Sequence, residues 1–154
     1  MEWSRGPQDE VEQMTRVQRT AKILGWILII VGILGFFWDG FTTESDMAEA
    51  PHLLGLFAVN VWHNLFHLAT GIWGVFAARS FSSSRTYART LGIIYAALIL
   101  LGLITPTLFG IMPIGGNDLW LHALFAIPLL YFGFSARGRE VSGREERERF
   151  RRAA

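Results

Sequence analysis

The stretch ILGWILIIVGILGFFW, Ile23 to Trp38, runs for sixteen residues without a charge between Lys22 and Asp39. An amphipathic surface helix would show a polar face, and this one has none. With Lys22 and Arg19 snorkelling to the headgroups, the run reaches the ~20 residues that a bilayer core requires. Three more runs repeat the pattern. Pro51 to Ala78 is closed by Arg79, Thr90 to Ile104 stops at Thr105-Pro106, and Leu119 to Ala136 is closed by Arg137. Proline removes a backbone donor and disfavours helix in the residue before it, which explains the third stop. Backbone amides in hydrocarbon must bond within their own segment, so all four runs are expected to be helices.

The expected fold class is therefore all-α, a four-helix transmembrane bundle. Its spans fall at about 23–38, 53–78, 90–105 and 119–136 within a membrane domain of residues 23–136, between tails 1–22 and 137–154. Composition agrees, since 51% of the 154 residues are hydrophobic and 18% charged, against about 25% charged in a soluble domain. The absence of cysteine excludes disulfides, thiolate metal sites, iron–sulfur clusters and cysteine nucleophiles. A net charge of +1 gives no ground for a nucleic-acid partner.

The fourteen basic residues are unevenly placed. Arg5, Arg16, Arg19 and Lys22 precede the first span, Arg79, Arg85 and Arg89 separate the second from the third, and the other seven follow the fourth. The two remaining connections hold only Asp39, Glu44, Asp46, Glu49 and Asp118. The positive-inside rule then puts both termini in the cytoplasm, as expected for a multi-pass membrane protein. The first run is expected to be a retained helix rather than a signal peptide, because the 22 residues before it are long and hold four acids.

Outside the spans the chain mainly solvates. The tail from Arg137 pairs Glu145 with Arg149 and Glu148 with Arg152 at helical spacing. Topology and solubility account for its arginines, with anionic lipid as a further partner. Val11, Met14 and Val17 form a weak candidate interfacial face. The segment Thr105 to Asn117, with Leu108, Phe109, Ile111, Met112 and Ile114, is apolar enough to lie on or dip into the bundle. The Ser80 to Ser84 run reads as a flexible turn, and no general base makes it a nucleophile motif. Trp62-x-Asn64 and Trp120-x-His122 recur at an offset of 58, a faint repeat compatible with two helical hairpins about an axis along the membrane normal.

Polar residues inside the spans are the exception. Asn60, His63 and His67 lie at i, i+3 and i+7 on one helical stripe, which Gly71 and Gly74 continue as a surface for close packing. Asn117 and Asp118 open the fourth span, and His122 follows one turn in. Both helices enter from the same side, so Asn60, His63, Asp118 and His122 should share a depth. An unpartnered polar group in hydrocarbon costs several kcal/mol, so these groups are expected to meet, with Asn60, Asn64 and Asn117 as the polar members of the cluster.

The motif N-x-x-H-N-x-x-H-x-x-x-G over Asn60, His63, Asn64, His67 and Gly71, followed by D-x-x-L-H at Asp118 and His122, resembles a bacterial family of small four-helix membrane proteins. That family is common in actinobacteria and related groups, and its domain has no known function. The resemblance covers about residues 21–133. It implies a fold and a membrane location and supplies no activity.

Four chemical readings of the cluster stay open. As interhelical polar glue, each bond is worth ~0.6–2 kcal/mol. As a metal site, His63 and His67 at i, i+4 offer two imidazoles from one face, which His122 or Asp118 completes for zinc, iron, copper or nickel. As a haem or chlorin site, the histidines would be flanked by Trp62, Trp73 and Trp120. As a proton or small-ligand site, the cluster would belong to a carrier or an accessory subunit of a membrane complex. The expected role is non-enzymatic. A membrane metalloenzyme is the alternative, with His63, His67 and His122 as ligands and Asp118 orienting one of them. Tyr95 faces mid-span, packed or lipid-facing, with a hydroxyl that could reach the cluster, and His52 has no assigned role.

Overall fold

A computed structural model describes residues 14–39, 41–136 and 151–152. Four helices carry the fold: α1 (Arg16–Asp39), α2 (Val61–Ala77), α3 (Phe81–Ile104) and α4 (Asp118–Ser135). The little strand present is a two-stranded hairpin, β1 (His52–Leu53) and β2 (Phe57–Ala58), between α1 and α2. The C-terminal tail, with its expected Glu–Arg pairs and lipid contact, lies largely outside the described residues.

The bundle is apolar outside and partly polar inside. Large side chains such as Ile30, Phe37, Leu100, Trp120 and Ile127 stand exposed around it, while Asn60, His63, Asn64, His67, Ser84, Asp118 and His122 are buried. A water-soluble domain would not expose so continuous an apolar surface. Arg16–Trp38, Phe81–Ile104 and Asp118–Ser135 are each long and apolar enough to cross a membrane. The apolar core, including Leu28, Tyr87, Leu91, Tyr95, Phe125 and Leu129, fills the middle.

Helices pack as two pairs, α1 on α2 and α3 on α4, with lighter contact between the pairs. The first pair is closed by glycine. A Cβ on Gly71 would lie 2.7 Å from both the Gly25 carbonyl and the Ile29 amide nitrogen, so backbone meets backbone there. That close approach is the use expected of the Gly71 and Gly74 stripe. Hydrogen bonds from Gln18 to the Ala78 carbonyl and from Arg89 to the Gly133 carbonyl tie the pairs at one end.

Three helix starts differ from the runs read in the sequence, and the first is simple: α1 begins at Arg16, about two turns before Ile23. The second run begins at about residue 53, yet α2 starts at Val61. Residues before it fold as the hairpin, in which His52 pairs with Ala58 and Leu53 with Phe57. Leu54 and Gly55 turn it with φ of 55° and 71°. Leu53, Ala58 and Val59 are buried, and a buried hairpin needs the same apolar residues as a helix, so hydropathy does not separate the two. The third run begins at about residue 90, yet α3 starts two turns and more earlier, at Phe81. Ser80 is its N-cap, extended at φ −138°, with its hydroxyl accepting from the Ser83 amide. The serine run is thus the first turn of a helix rather than a flexible turn, and Ser84 donates to the Ala77 carbonyl at 2.9 Å. Val17, taken above as part of an interfacial face, is buried in the core.

Packing at the α1–α2 contact is testable by substitution. Gly71→Ala is expected to lower stability by about 1–3 kcal/mol, the usual range for overpacking, read as a fall in Tm in detergent. Ile72→Ala, at an exposed neighbour, should leave Tm nearly unchanged; equal effects would refute the close contact.

Candidate metal centre

Local structure sets the histidines. Asn60 adopts an extended conformation (φ −146°, ψ 178°) and caps α2, its side-chain oxygen accepting from the His63 amide at 3.0 Å. With the first turn fixed, His63 and His67 project from one face of α2. Asp118 begins α4, and His122 follows one turn later. A ring nitrogen from each of His63, His67 and His122 lies within 4.8 Å of the others. All three residues are 2% exposed or less. The His63 and His67 rings stand edge to face, with centroids 4.5 Å apart, and the His63 and His122 centroids are 6.3 Å apart.

The hydrogen bonds define what each ring offers. His63 Nδ1 lies 2.9 Å from the Pro113 carbonyl oxygen. A carbonyl only accepts, so Nδ1 carries the hydrogen and Nε2 keeps the lone pair of the neutral imidazole. Ligating histidines commonly show this arrangement, with the other ring N–H held by a backbone carbonyl or carboxylate. Asp118 Oδ2 stands 3.6 Å from the same Nδ1, an electrostatic contact too long for a hydrogen bond. Both ring nitrogens of His67, Nδ1 of His122 and Oδ2 of Asp118 are buried without a hydrogen-bond partner. Each such group forfeits about 1–3 kcal/mol of solvation.

Several residues read as one cluster in the sequence separate here. Asn60 is spent on structure: besides capping α2, its Nδ2 donates to the Ile111 carbonyl at 2.9 Å. Asn64 turns toward α1, where its amide fills the space a side chain on Gly35 would need. Asn117 is exposed and donates to the Leu56 carbonyl, tying the 105–117 segment to the hairpin. It does not join the histidines, because the backbone at the start of α4 turns it outward. Asp118 sits on the Nδ1 side of His63 and outside the group of convergent imidazoles. Trp62 and Trp120 face outward, and Trp73 packs edge-on against Tyr87 at 5.0 Å. The tryptophans therefore do not flank the histidines as a haem or chlorin reading expects.

Two contributors were hidden or under-read in the sequence. The 105–117 segment does dip into the bundle, with Ile114 buried and its amide bonded to the Pro106 carbonyl. The carbonyls of Ile111 and Pro113 then reach Asn60 and His63. No side-chain pattern encodes a carbonyl's aim; the apolarity of that segment was its one signal. Tyr95 packs in the core with its ring centroid 5.1 Å from His122, and its hydroxyl has no hydrogen-bond partner.

A family model described as Domain of unknown function (DUF4383) matches residues 18–135. The chain belongs to that family. Comparison with curated proteins gives no match, and neither does comparison with solved structures.

If Asn60 holds both helix and loop, Asn60→Ala should cost more than a cap alone, whose usual loss is ~1 kcal/mol. Amide exchange at residues 105–117 should accelerate together with the fall in Tm. Unchanged exchange there would show that the loop is held without Asn60.

Proposed function

We propose that this protein is an integral membrane protein whose bundle holds a transition-metal ion on His63, His67 and His122. The observation that carries the reading is His67, a fully buried imidazole with neither nitrogen hydrogen-bonded, beside two others within ligand reach. A side chain that makes no hydrogen bond glues no helices, so interhelical polar glue does not account for it. Three neutral imidazoles suit zinc, iron, copper or nickel and leave a fourth position open. Tetrahedral sites with bonds of about 2.0–2.1 Å place their nitrogens about 3.4 Å apart. The rings must therefore draw in from their present spread of up to 4.8 Å, which small side-chain rotations supply.

In this reading His63 ligates through Nε2, held by the Pro113 carbonyl behind it. Asp118 acts from outside the coordination shell, offsetting ion charge and steering the His63 ring. With the ligands shut away from solvent, binding or relay of an ion, within a membrane complex or alone, fits better than hydrolysis. The arginine-rich end faces the bacterial cytoplasm and the histidines lie toward the outer half of the inner membrane.

Elemental analysis of the purified chain tests the metal. Near one equivalent of zinc, iron, copper or nickel is expected, falling to background in a His63→Ala/His67→Ala double variant that keeps its helicity. Metal below stoichiometry and unchanged in the double variant would overturn the reading. Asp118→Asn should weaken metal affinity by ~10–100-fold without abolishing it. Orientation has its own test: cysteines placed at Glu44 and Ser82 should label from opposite sides of sealed vesicles, and labelling from one side refutes it.

A further inference from the structure

The helix ends away from the histidines meet in one place: the start of α1 bonds the end of α2, and α3 near its start bonds the end of α4. Arg16, Arg19, Lys22, Arg79, Arg85 and Arg89 are carried there, with no acid among the described residues of those segments. Between α1 and α2 at this end lies a cleft of about 390 Å³ lined by Met14, Gln18, Lys22, Val75, Ala78 and Arg79. It lies beyond the glycine contact, where backbones approach closely at Gly25, Gly71 and Gly74.

The cleft has two chemical levels. At its mouth Lys22 and Arg79, one from each wall, are exposed and have no acidic partner among the described residues. The Arg79 guanidinium is held over the Phe76 ring, 4.5 Å from its centroid. Gln18 spends one of its two amide hydrogens on the Ala78 carbonyl at 3.2 Å and carries no charge. Deeper along the same helix faces, Trp26 follows Lys22 by one turn, while Phe76 and Ile72 precede Arg79 by one turn and two. All three are exposed. A small anion would satisfy only the mouth, whereas an amphiphile satisfies both levels.

We infer that this cleft binds an anionic phospholipid, its phosphodiester between the Lys22 ammonium and the Arg79 guanidinium and its acyl chains over Trp26, Ile72 and Phe76. Guanidinium offers paired donors to phosphate oxygens and lysine adds a point charge. The site needs nothing from the histidine cluster, so it stands whether or not that cluster holds metal.

The test uses the full chain in detergent, titrated separately with short-chain phosphatidylglycerol, short-chain phosphatidylcholine and inorganic phosphate. Binding is read by native mass spectrometry and by Tm. Phosphatidylglycerol should be retained and raise Tm, with phosphatidylcholine and inorganic phosphate doing neither at the same concentration. Lys22→Gln/Arg79→Gln should weaken phosphatidylglycerol binding roughly thirtyfold, the loss expected of two basic contacts near a membrane surface. Arg19→Gln, at an exposed position on the same end but outside the cleft, should leave it unchanged. Because the mutated side chains are exposed, the variants keep the core, and each single change gives an intermediate loss. Equal binding by wild type and double variant overturns the site. An equal loss in Arg19→Gln reduces it to diffuse charge attraction, and an equal response to inorganic phosphate reduces it to an anion site without lipid; either result overturns the proposal.

Discussion

Asn60 accepts from the His63 amide with one end of its side chain and donates to the Ile111 carbonyl with the other. Those two bonds place a helix start and a loop in register. The first fixes the turn from which His63 and His67 project. The second brings the 105–117 segment down onto the bundle, where the Pro113 carbonyl meets His63 Nδ1. Remove Asn60, and the helix loses its cap just where no water is at hand to replace the bond. Asn60 thus serves both the helix that carries two of the histidines and the loop that bonds one of them, although it bonds none of their ring nitrogens.

Packing around that anchor uses glycine in both helix pairs, since a Cβ on Gly133 would lie 3.0 Å from the Arg89 amide nitrogen, but the pairs add different things to it. On the α1–α2 side, glycine lets backbones approach until a single Cβ would clash at Gly71 or Gly25. On the α3–α4 side, large rings fill the core, with Tyr95 against Phe125 at 5.6 Å and against His122 at 5.1 Å. Close backbone contact favours association in lipid, where burying apolar surface against apolar solvent gains little. Aromatic packing instead gives the site stiff walls. Of the buried polar atoms left unpartnered, those on His67, His122, Asp118 and Tyr95 belong to or adjoin the histidine cluster, whereas those on Arg85 and Tyr87 stand apart from it.

Much of this was legible from residue spacing, and the reasons for the rest are physical. The i, i+4 separation of His63 and His67 and the position of His122 one turn into α4 were enough to expect their meeting, because helix geometry carries spacing into space. Three of the four apolar runs likewise announced helices that can cross a membrane, whereas α2, shortened to 17 residues by the hairpin before it, is not among them. Hydropathy failed before α2, where Leu53, Ala58 and Val59 are buried by a hairpin rather than a helix. It failed again at Ser80, where a polar residue that looks like a loop is a cap. Asn117 shared depth and chemistry with the cluster but not direction, which the backbone at the start of α4 decides. The Pro113 carbonyl was beyond reach for a deeper reason: every residue has a carbonyl, so composition says nothing about where one points.

The two helix pairs divide the imidazoles unequally, two on α2 and one on α4. Neither pair alone gathers three, so the constellation exists only where the two halves meet. The α1–α2 pair by itself holds His63 and His67 as an incomplete claw. The second hairpin brings the third ring, and the 105–117 segment between its helices brings the carbonyl behind the first. The cluster thus reports on assembly: three rings at one point exist only in a bundle whose halves have found each other in the correct rotation.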